Sequence, residues 1–304
     1  MRNTALVVSL AALTSGCFFV NEDVGDAADA AVHPDAPLDL PDAAAADAHE
    51  DGDCSEDIVC PAPASGKTQI CGRIVDLATS AAIDATAAGL LDVTFYDASA
   101  LASSTPDLLA GSIGSVHVDR CGRFTAGDGV APPSLGYVAV GVDDRGQPFG
   151  EGNRLFTAVA VGPVSANHTI EQVHAYTALE TLDAAWSGAT APSFAAQGAF
   201  VGIFIDTHLP AVPPYRGTPT AGVSLQLDDG NTVAQHYFAD TVRTDRHDVV
   251  GATTTGPNGT GLLLGSPLNT SYTGVGPASC TWIAQPGLTV KNGLLVAEFE
   301  GTCD

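Results

Sequence analysis

Gly72-Arg73-Ile74-Val75-Asp76 returns later in the chain as Gly202-Ile203-Phe204-Ile205-Asp206, and this repeated stretch decides the interpretation of the fold. Each stretch is followed by an apolar alternation at the same distance. Gly72 to Val93 and Gly202 to Val223 are both 21 positions. A shared motif followed by a shared spacing predicts two copies of one β-rich unit.

A third element repeats more loosely. Asp119-Arg120-Cys121-Gly122-Arg123-Phe124 in the first copy corresponds to Gly256-Pro257-Asn258-Gly259-Thr260-Gly261 in the second. Both segments predict a tight turn that enters a strand, because Gly adopts positive φ without the steric cost that a Cβ brings.

The region around the first copy alternates short apolar runs with Gly, Pro and Asp, which is typical of all-β domains. Leu91, Val93 and Phe95 alternate with Asp92 and Thr94, which predicts a strand with one buried and one solvated face. The candidate strands are Gln69–Asp76, Leu91–Tyr96, Ser115–Phe124, Gly136–Val142 and Phe156–Val161.

These motifs resemble the carboxypeptidase regulatory-like or transthyretin-like β-sandwich, and Ala221–Leu225 and Thr255–Thr260 carry the likeness best. The resemblance implies a seven-stranded, immunoglobulin-like module that serves as a spacer, a stabilising unit or an adhesive unit. We therefore predict an all-β fold with two such β-sandwich domains, at residues 67–170 and 196–304. A connector with a short helix, residues 171–195, joins them.

The connector helix is predicted over Ala178–Trp186. Thr177 and Glu180 have the spacing of a capping box, and Gly188 is placed to end the helix. Leu182 and Trp186 fall on one face, which predicts packing between the domains. The alternative role of Trp186 is stacking on a ligand.

The N-terminus carries Arg2, an apolar run over Ala5–Leu13 and then Thr14-Ser15-Gly16-Cys17, the pattern of an export signal at residues 1–16. This ending resembles the lipobox of bacterial lipoproteins. The resemblance implies that Cys17 is acylated and that the protein is exported and lipid-anchored, at the outer membrane or cell surface of a Gram-negative bacterium. An ordinary secretion signal cut near Ser15 is the alternative.

Seven cysteines are an odd number for an exported protein, and assigning one of them to lipid leaves six that can pair completely. Three disulfides are expected outside the cytoplasm, with fifteen possible connectivities. Cys280 and Cys303 are expected to pair, because both lie in the C-terminal half, and Cys54–Cys60 with Cys71–Cys121 is the favoured arrangement of the others. Metal binding by these thiols is the weaker alternative, since the sequence contains no Cys-x2-Cys pair.

Residues 17–66 are predicted to be a disordered, lipid-anchored tether rich in Ala, Asp and Pro. Thirteen acidic residues lie between Glu22 and Asp57, and branched or aromatic side chains are too few to offset chain entropy. Calcium binding at Asp51-Gly52-Asp53-Cys54-Ser55-Glu56 is the alternative, although the Gly and Glu positions of an EF-hand are not matched.

The formal net charge is −24, so the chain repels phosphate backbones, and nucleic acid is excluded as a partner. The tether supplies −13 and the signal +1, which leaves −12 on the folded remainder.

No Gly-x-Ser-x-Gly, His-Glu-x-x-His or Walker sequence is present, and we predict no catalytic residue, no metal site and no cofactor. Tyr215-Arg216-Gly217-Thr218 resembles the C-terminal signature of hydroxyisourate hydrolases, but it lies far from the chain end and is interpreted as accidental. The acidic pairs Asp143-Asp144 and Asp228-Asp229 precede or approach Gly and are interpreted as turns, with calcium binding as the alternative.

The function expected from the sequence is a non-catalytic binding, adhesion or structural role in the cell envelope. The expected partners are the membrane, through the lipid, and a protein or polysaccharide ligand. The alternatives are an exported hydrolase that uses scattered groups such as His208, His236 and His247, a calcium-dependent carbohydrate-binding protein, and a subunit of a larger complex.

Overall fold

The computed structural model consists mainly of β-strands, with a short helix between the two repeat regions. It describes residue 54 and residues 58–83, 91–98, 112–114, 116–134, 136–144, 154–190, 198–227, 235–239, 245–264, 270–287 and 293–304. The predicted signal, the acylation site Cys17 and most of the tether lie outside the described residues.

The elements, in chain order, are β1 (Thr68–Asp76), β2 (Asp92–Asp97), β3 (Ser112–Gly114), β4 (Val116–Val118), β5 (Arg123–Ala126), β6 (Val138–Asp143), β7 (Arg154–Val161), β8 (His168–Leu179), α1 (Glu180–Thr190), β9 (Ala199–Asp206), β10 (Thr218–Pro219), β11 (Ser224–Leu227), β12 (Gln235–Phe238), β13 (Val249–Val250), β14 (Thr260–Leu264), β15 (Thr270–Val275), β16 (Cys280–Trp282), β17 (Gln285–Gly287) and β18 (Gly293–Cys303).

Most strands belong to one large mixed sheet, whose order is β13-β12-β14-β9-β18-β7-β8-β1-β5-β4. Strand β18 pairs in parallel with β9 on one side and with β7 on the other. Strands β11, β15 and β17 form a separate three-stranded sheet. The mainly β architecture with a short helix is therefore as predicted. The large sheet, however, runs through both predicted sandwich regions, and two separate sandwiches are not shown.

The repeated motifs occupy equivalent strands. In the first copy β1 pairs antiparallel with β5 and parallel with β8, and in the second copy β9 pairs antiparallel with β14 and parallel with β18. Gly72 lies opposite Phe124, and Gly202 lies opposite Gly261, so the register of the two copies is the same. The repeat predicted from the sequence is thus present in the strand pairing.

The predicted turns are equivalent too. Gly122 has φ +68° and Gly259 has φ +66°, the left-handed region that favours Gly. The carbonyl of Gly122 accepts from Ile74 N, and that of Gly259 accepts from Phe204 N, each at 2.8 Å. Both turns are therefore held against the first strand of their own copy.

The prediction of one strand over Ser115–Phe124 is wrong, because the chain forms a hairpin of β4 and β5 there. The Asp119 carboxylate accepts from the backbone N–H of Cys121 at 2.8 Å and of Arg123 at 2.9 Å. These two bonds close the turn and stop the first strand at Val118.

Helix α1 begins at Glu180, and the predicted capping box is wrong. Thr177 belongs to β8, where it lies opposite Asp76 of β1, and its hydroxyl accepts from Arg154 Nη1 at 3.0 Å. The pairing with β1 thus includes the expected cap residue, and the pairing of Ala178 and Leu179 with β7 continues the strand past the expected helix start. Gly188 lies inside the helix and does not end it.

Trp186 is fully buried, and its Nε1 donates to the carbonyl of Arg246 at 2.9 Å. Its ring packs edge-on against Phe238 with centroids 5.1 Å apart. This position agrees with the expected packing role and leaves no exposed ring face for a ligand to stack on.

Three apolar clusters stabilise the fold. The first lies between β1, β5 and β8 on one side and β2, β6 and β7 on the other. The second packs α1 and the ends of β1 and β8 against one face of β9, β14 and β18, while the third packs β11 and β15 against the opposite face. Because β9 is covered on both faces, all of its residues are buried. The described residues belong to one compact unit, Ala48–Asp304.

Three disulfides join the six cysteines other than Cys17, and the expected pair of Cys280 with Cys303 is confirmed. The other pairs are Cys54–Cys121 and Cys60–Cys71, so the favoured arrangement was wrong. The register explains the difference, because Cys71 lies opposite Thr125. Cys121 is four residues from that position, about 13 Å along a strand, which a disulfide cannot bridge.

No helix in the described part of the chain has the length and apolar character needed to cross a bilayer. The three disulfides indicate that the folded region matures in an oxidising compartment outside the cytoplasm.

Candidate ligand-binding cleft

A cleft of about 490 Å³ opens where β1 and β8 meet the loop that follows β9. This volume is within the range of small-molecule sites. Its lining contains apolar residues together with polar and charged side chains. The described residues that line the cleft are Ile58, Gly72, Arg73, Gln172, His174, Ala211, Pro213, Pro214, Tyr215 and Arg216.

A β-bulge shapes the floor of the cleft. The pairing of β1 with β8 shifts register between Ile70 and Gly72, so β8 has one extra residue there. Gln172 in this bulge has φ +57°, an uncommon conformation for a residue with a Cβ. A Cβ added to Gly72 would lie 1.9 Å from the carbonyl oxygen of Val173. Only Gly fits beside the bulge.

The bulge also fixes a guanidinium group at the rim of the cleft. Arg216 Nε donates to Gln172 Oε1 at 2.9 Å, and Arg216 Nη2 donates to the backbone carbonyl of Glu171 at 2.7 Å. Arg216 is exposed, yet two bonds from one strand define its orientation. The strained backbone of the β8 bulge thus positions the cationic side chain of Arg216, which comes from the loop after β9.

Next to the bulge, His174 lies on the wall of the cleft and is 7% exposed. Its Nδ1 is 2.8 Å from Glu298 Oε1 on β18, and the hydroxyl of Tyr176 donates to the same carboxylate oxygen. The imidazole ring also packs edge-on against Tyr215, with centroids 6.0 Å apart. The ring is therefore fixed from two sides.

The pair of His174 and Glu298 shifts the pKa of both groups. Burial by itself lowers the pKa of His174, but the charge of Glu298 and the hydrogen bond to it raise that pKa above its ordinary value overall. Burial by itself raises the pKa of Glu298, but the charge and hydrogen bond of His174 and the bond from Tyr176 lower it overall. Both shifts favour an imidazolium paired with a carboxylate.

A buried arginine, Arg246, supports the cleft residue Tyr215. Arg246 is 0% exposed, and its Nη2 donates to the Tyr215 hydroxyl at 2.5 Å. Its Nη1 donates to Ser80 Oγ at 2.6 Å and to the carbonyl of Leu77 at 3.0 Å, while Nε donates to Thr260 Oγ1 at 2.7 Å. Arg246 therefore ties the cleft residue Tyr215 to the first repeat and to β14.

The chemistry of this arrangement is that of anion recognition. The described lining residues with ionisable side chains are two arginines, a histidine and a tyrosine, and none is a carboxylate. A buried hydroxyl beside the lining, Ser80 Oγ, lies 2.7 Å from the Tyr215 hydroxyl and accepts from Arg246. That hydroxyl is 5% exposed and is part of the supporting network, so the cleft has no activated nucleophile among its described residues.

The other histidines that the sequence singled out lie apart from the cleft lining. His208 follows β9, His236 lies on β12, and His247 bonds Asp245. Among the described residues, no group of three or more His, Cys, Asp or Glu side chains is arranged to hold a metal ion.

Of the acidic pairs, Asp143 ends β6, and the Asp144 carboxylate accepts from the backbone N–H of Arg154 at 2.6 Å. Asp144 is 2% exposed, and because residues 145–153 lie outside the described residues, the turn interpretation of this pair remains a prediction. Residues 228–230 lie outside the described residues, so the interpretation of the second pair remains a prediction.

Sequence reasoning missed His174, Glu298 and Arg246 as members of one site. Glu298 lies between the buried residues Ala297 and Phe299 of β18, and a carboxylate in such an apolar run is the signal that could have pointed to a buried partner. The partner itself is 124 positions away, and no spacing rule connects the two.

A comparison with protein-family models finds no match to this chain, and a comparison with curated proteins finds none either.

Proposed function

We propose that this protein is a non-catalytic binding module, exported and held at the cell envelope by a lipid on Cys17. In this proposal, regions 67–170 and 196–304 are two related β-sandwich units, and β18 of the second region pairs with β7 of the first. The part of the 17–66 tether that precedes Cys54 carries the folded region away from the membrane surface, because Cys54 and Cys60 are bonded to the folded region.

The observation that carries the binding role is the built cleft between β8 and the loop after β9. It combines a fixed guanidinium at Arg216, an ordered imidazole at His174 and a supporting network around buried Arg246. Backbone strain at Gln172 and the required Gly72 maintain this arrangement. Strained backbone that positions polar side chains in a cleft is characteristic of functional sites.

The lack of a nucleophile next to His174, among the described lining residues, favours binding over hydrolysis. An enzyme needs converging groups that can exchange protons with a substrate, and here Ser80 and the Tyr215 hydroxyl are bonded within the protein.

Membrane fractionation of cells that express the full chain tests the anchor. The wild-type protein is expected in the membrane fraction, released by detergent and not by high salt. A Cys17→Ser variant is expected in the soluble extracytoplasmic fraction, and a Ser15→Cys,Cys17→Ser variant controls for the mere presence of a thiol. Salt release of the wild-type protein, or membrane retention of Cys17→Ser, would contradict anchoring.

A further inference from the structure

We propose that the cleft binds the carboxylate group of a small ligand whose remaining part is apolar. This inference rests on the proposed binding function and names the class of ligand. Three features of the cleft carry it, namely the sign of its charges, the geometry of its donors and the apolar part of its lining.

The sign of the charges in the cleft is opposite to that of the whole protein. The chain has a formal net charge of −24, whereas the charged side chains that line the cleft are cationic, namely Arg73, His174 and Arg216. The arginines repel the charged form of His174, and each acts to lower its pKa. Glu298 balances the charge of His174, and an anion in the cleft would lower the remaining repulsion between the guanidinium groups and the imidazolium.

The donors in the cleft are oriented before any ligand arrives. The bonds that Arg216 makes to Gln172 and Glu171 use two of the five N–H groups of a guanidinium. The Nδ1 of His174 is bonded to Glu298, and among the described residues its Nε2 has no hydrogen-bond partner. His174 is thus a nearly buried side chain with an unused polar atom on the cleft wall.

Part of the cleft lining is apolar. The described apolar residues in it are Ile58, Ala211, Pro213 and Pro214. A phosphate ion alone would leave this apolar lining in contact with water. A guanidinium fork binds carboxylate and phosphate alike, so the apolar lining is the feature that favours a carboxylate with an apolar body.

The test is a titration of the full-length protein in detergent micelles, followed by calorimetry or by NMR shifts of the histidine ring protons. Benzoate is the probe, benzamide is its uncharged isostere, and inorganic phosphate is the anion without an apolar body. Benzoate is expected to bind, while benzamide and phosphate are each expected to bind about tenfold more weakly or worse, since a charge-assisted bond contributes about 1.5–3 kcal/mol.

Two variants assign the binding to the cleft. Arg216→Gln is expected to weaken benzoate binding about tenfold or more, whereas Arg120→Gln, at an exposed arginine in the turn before β5, should leave it unchanged. His174→Gln and its exposed control His168→Gln form a second pair. Arg216 is exposed, so its replacement is not expected to unfold the protein.

Equal binding of benzoate and benzamide would overturn the role of the charge, and equal binding of benzoate and phosphate would overturn the role of the apolar lining. No response to benzoate at tens of millimolar, or an unchanged affinity in Arg216→Gln, would overturn the site itself. These outcomes do not depend on acylation at Cys17, so a failed titration and a failed membrane anchor are distinguishable.

Discussion

Replacement of Arg246 by Met tests whether the buried arginine network holds the two repeats together. Met has a similar length and no polar donor, so the change removes the hydrogen bonds to Leu77, Ser80, Tyr215 and Thr260. The fully buried site remains filled.

The magnitude follows from what each partner can do after the change. Ser80 and Tyr215 already lie 2.7 Å apart and can satisfy each other, and Thr260 Oγ1 already donates to the carbonyl of Asn258 at 3.0 Å. The carbonyl of Leu77 is left without its side-chain donor, which costs about 1–3 kcal/mol. Loss of the buried cation near Glu298 adds to this cost, and we expect a total of about 3 kcal/mol.

Urea and thermal unfolding of the oxidised protein measure this loss. A domain of this size loses about 2–4 °C of melting temperature per kcal/mol, so Arg246→Met is expected to melt roughly 10 °C below the wild type. Arg246→Lys keeps the charge but not the fork, and we expect it to be destabilised as well. Arg120→Met, at an exposed arginine, should change the free energy of unfolding by less than about 0.5 kcal/mol. If Arg246→Met matched this control, the network would not stabilise the fold.

Two further perturbations test the bulge and the ion pair. Gly72→Ala places a Cβ 1.9 Å from the carbonyl oxygen of Val173 and is expected to lower the free energy of unfolding by about 3 kcal/mol. The control Gly188→Ala has open space around it in α1 and should raise the free energy of unfolding by about 0.5–1 kcal/mol. Equal melting temperatures for the two variants would refute the close approach at Gly72. For the ion pair, the unfolding free energy of the wild type minus that of His174→Gln is expected to be largest between about pH 4.5 and 6.5, the ordinary values for Glu and His. The difference should shrink as the pH rises through the raised pKa of His174, where the imidazolium loses its proton. It should also shrink as the pH falls through the lowered pKa of Glu298, where the carboxylate gains a proton. A difference that does not change with pH would contradict the pairing.

Local patterns in the sequence were sufficient for the repeat and for most of the strands. The motif that ends at Asp76 and the motif that ends at Asp206 both form first strands of equivalent units, and the glycine turns occur where predicted. These features depend on alternation and on turn chemistry, which act over a few residues.

The errors arose where pairing between distant segments overrides local preference. Thr177 has the spacing of a helix cap, yet the parallel ladder with β1 keeps it in a strand. The partner of Cys121 depends on the register of β1 with β5, which places Cys71 out of its reach. Tertiary pairing of this kind cannot be derived from propensity alone.

The cleft was not predictable for the same reason. Its charged residues come from β1, from β8 and from the loop after β9, and the supporting carboxylate comes from β18. Arg246 stands among other charged residues in the sequence, which predicts a solvated segment, but the fold buries its side chain completely.

The central claim is that a disulfide-closed binding module is anchored outside the cytoplasm through Cys17. Intact-mass and non-reducing peptide-map analysis of the protein extracted from membranes tests it most directly. The account predicts a chain that begins at an acylated Cys17, with cross-linked peptides for Cys54–Cys121, Cys60–Cys71 and Cys280–Cys303. An N-terminus that still carries residues 1–16, a mature chain without lipid, or free thiols at these six positions would contradict it.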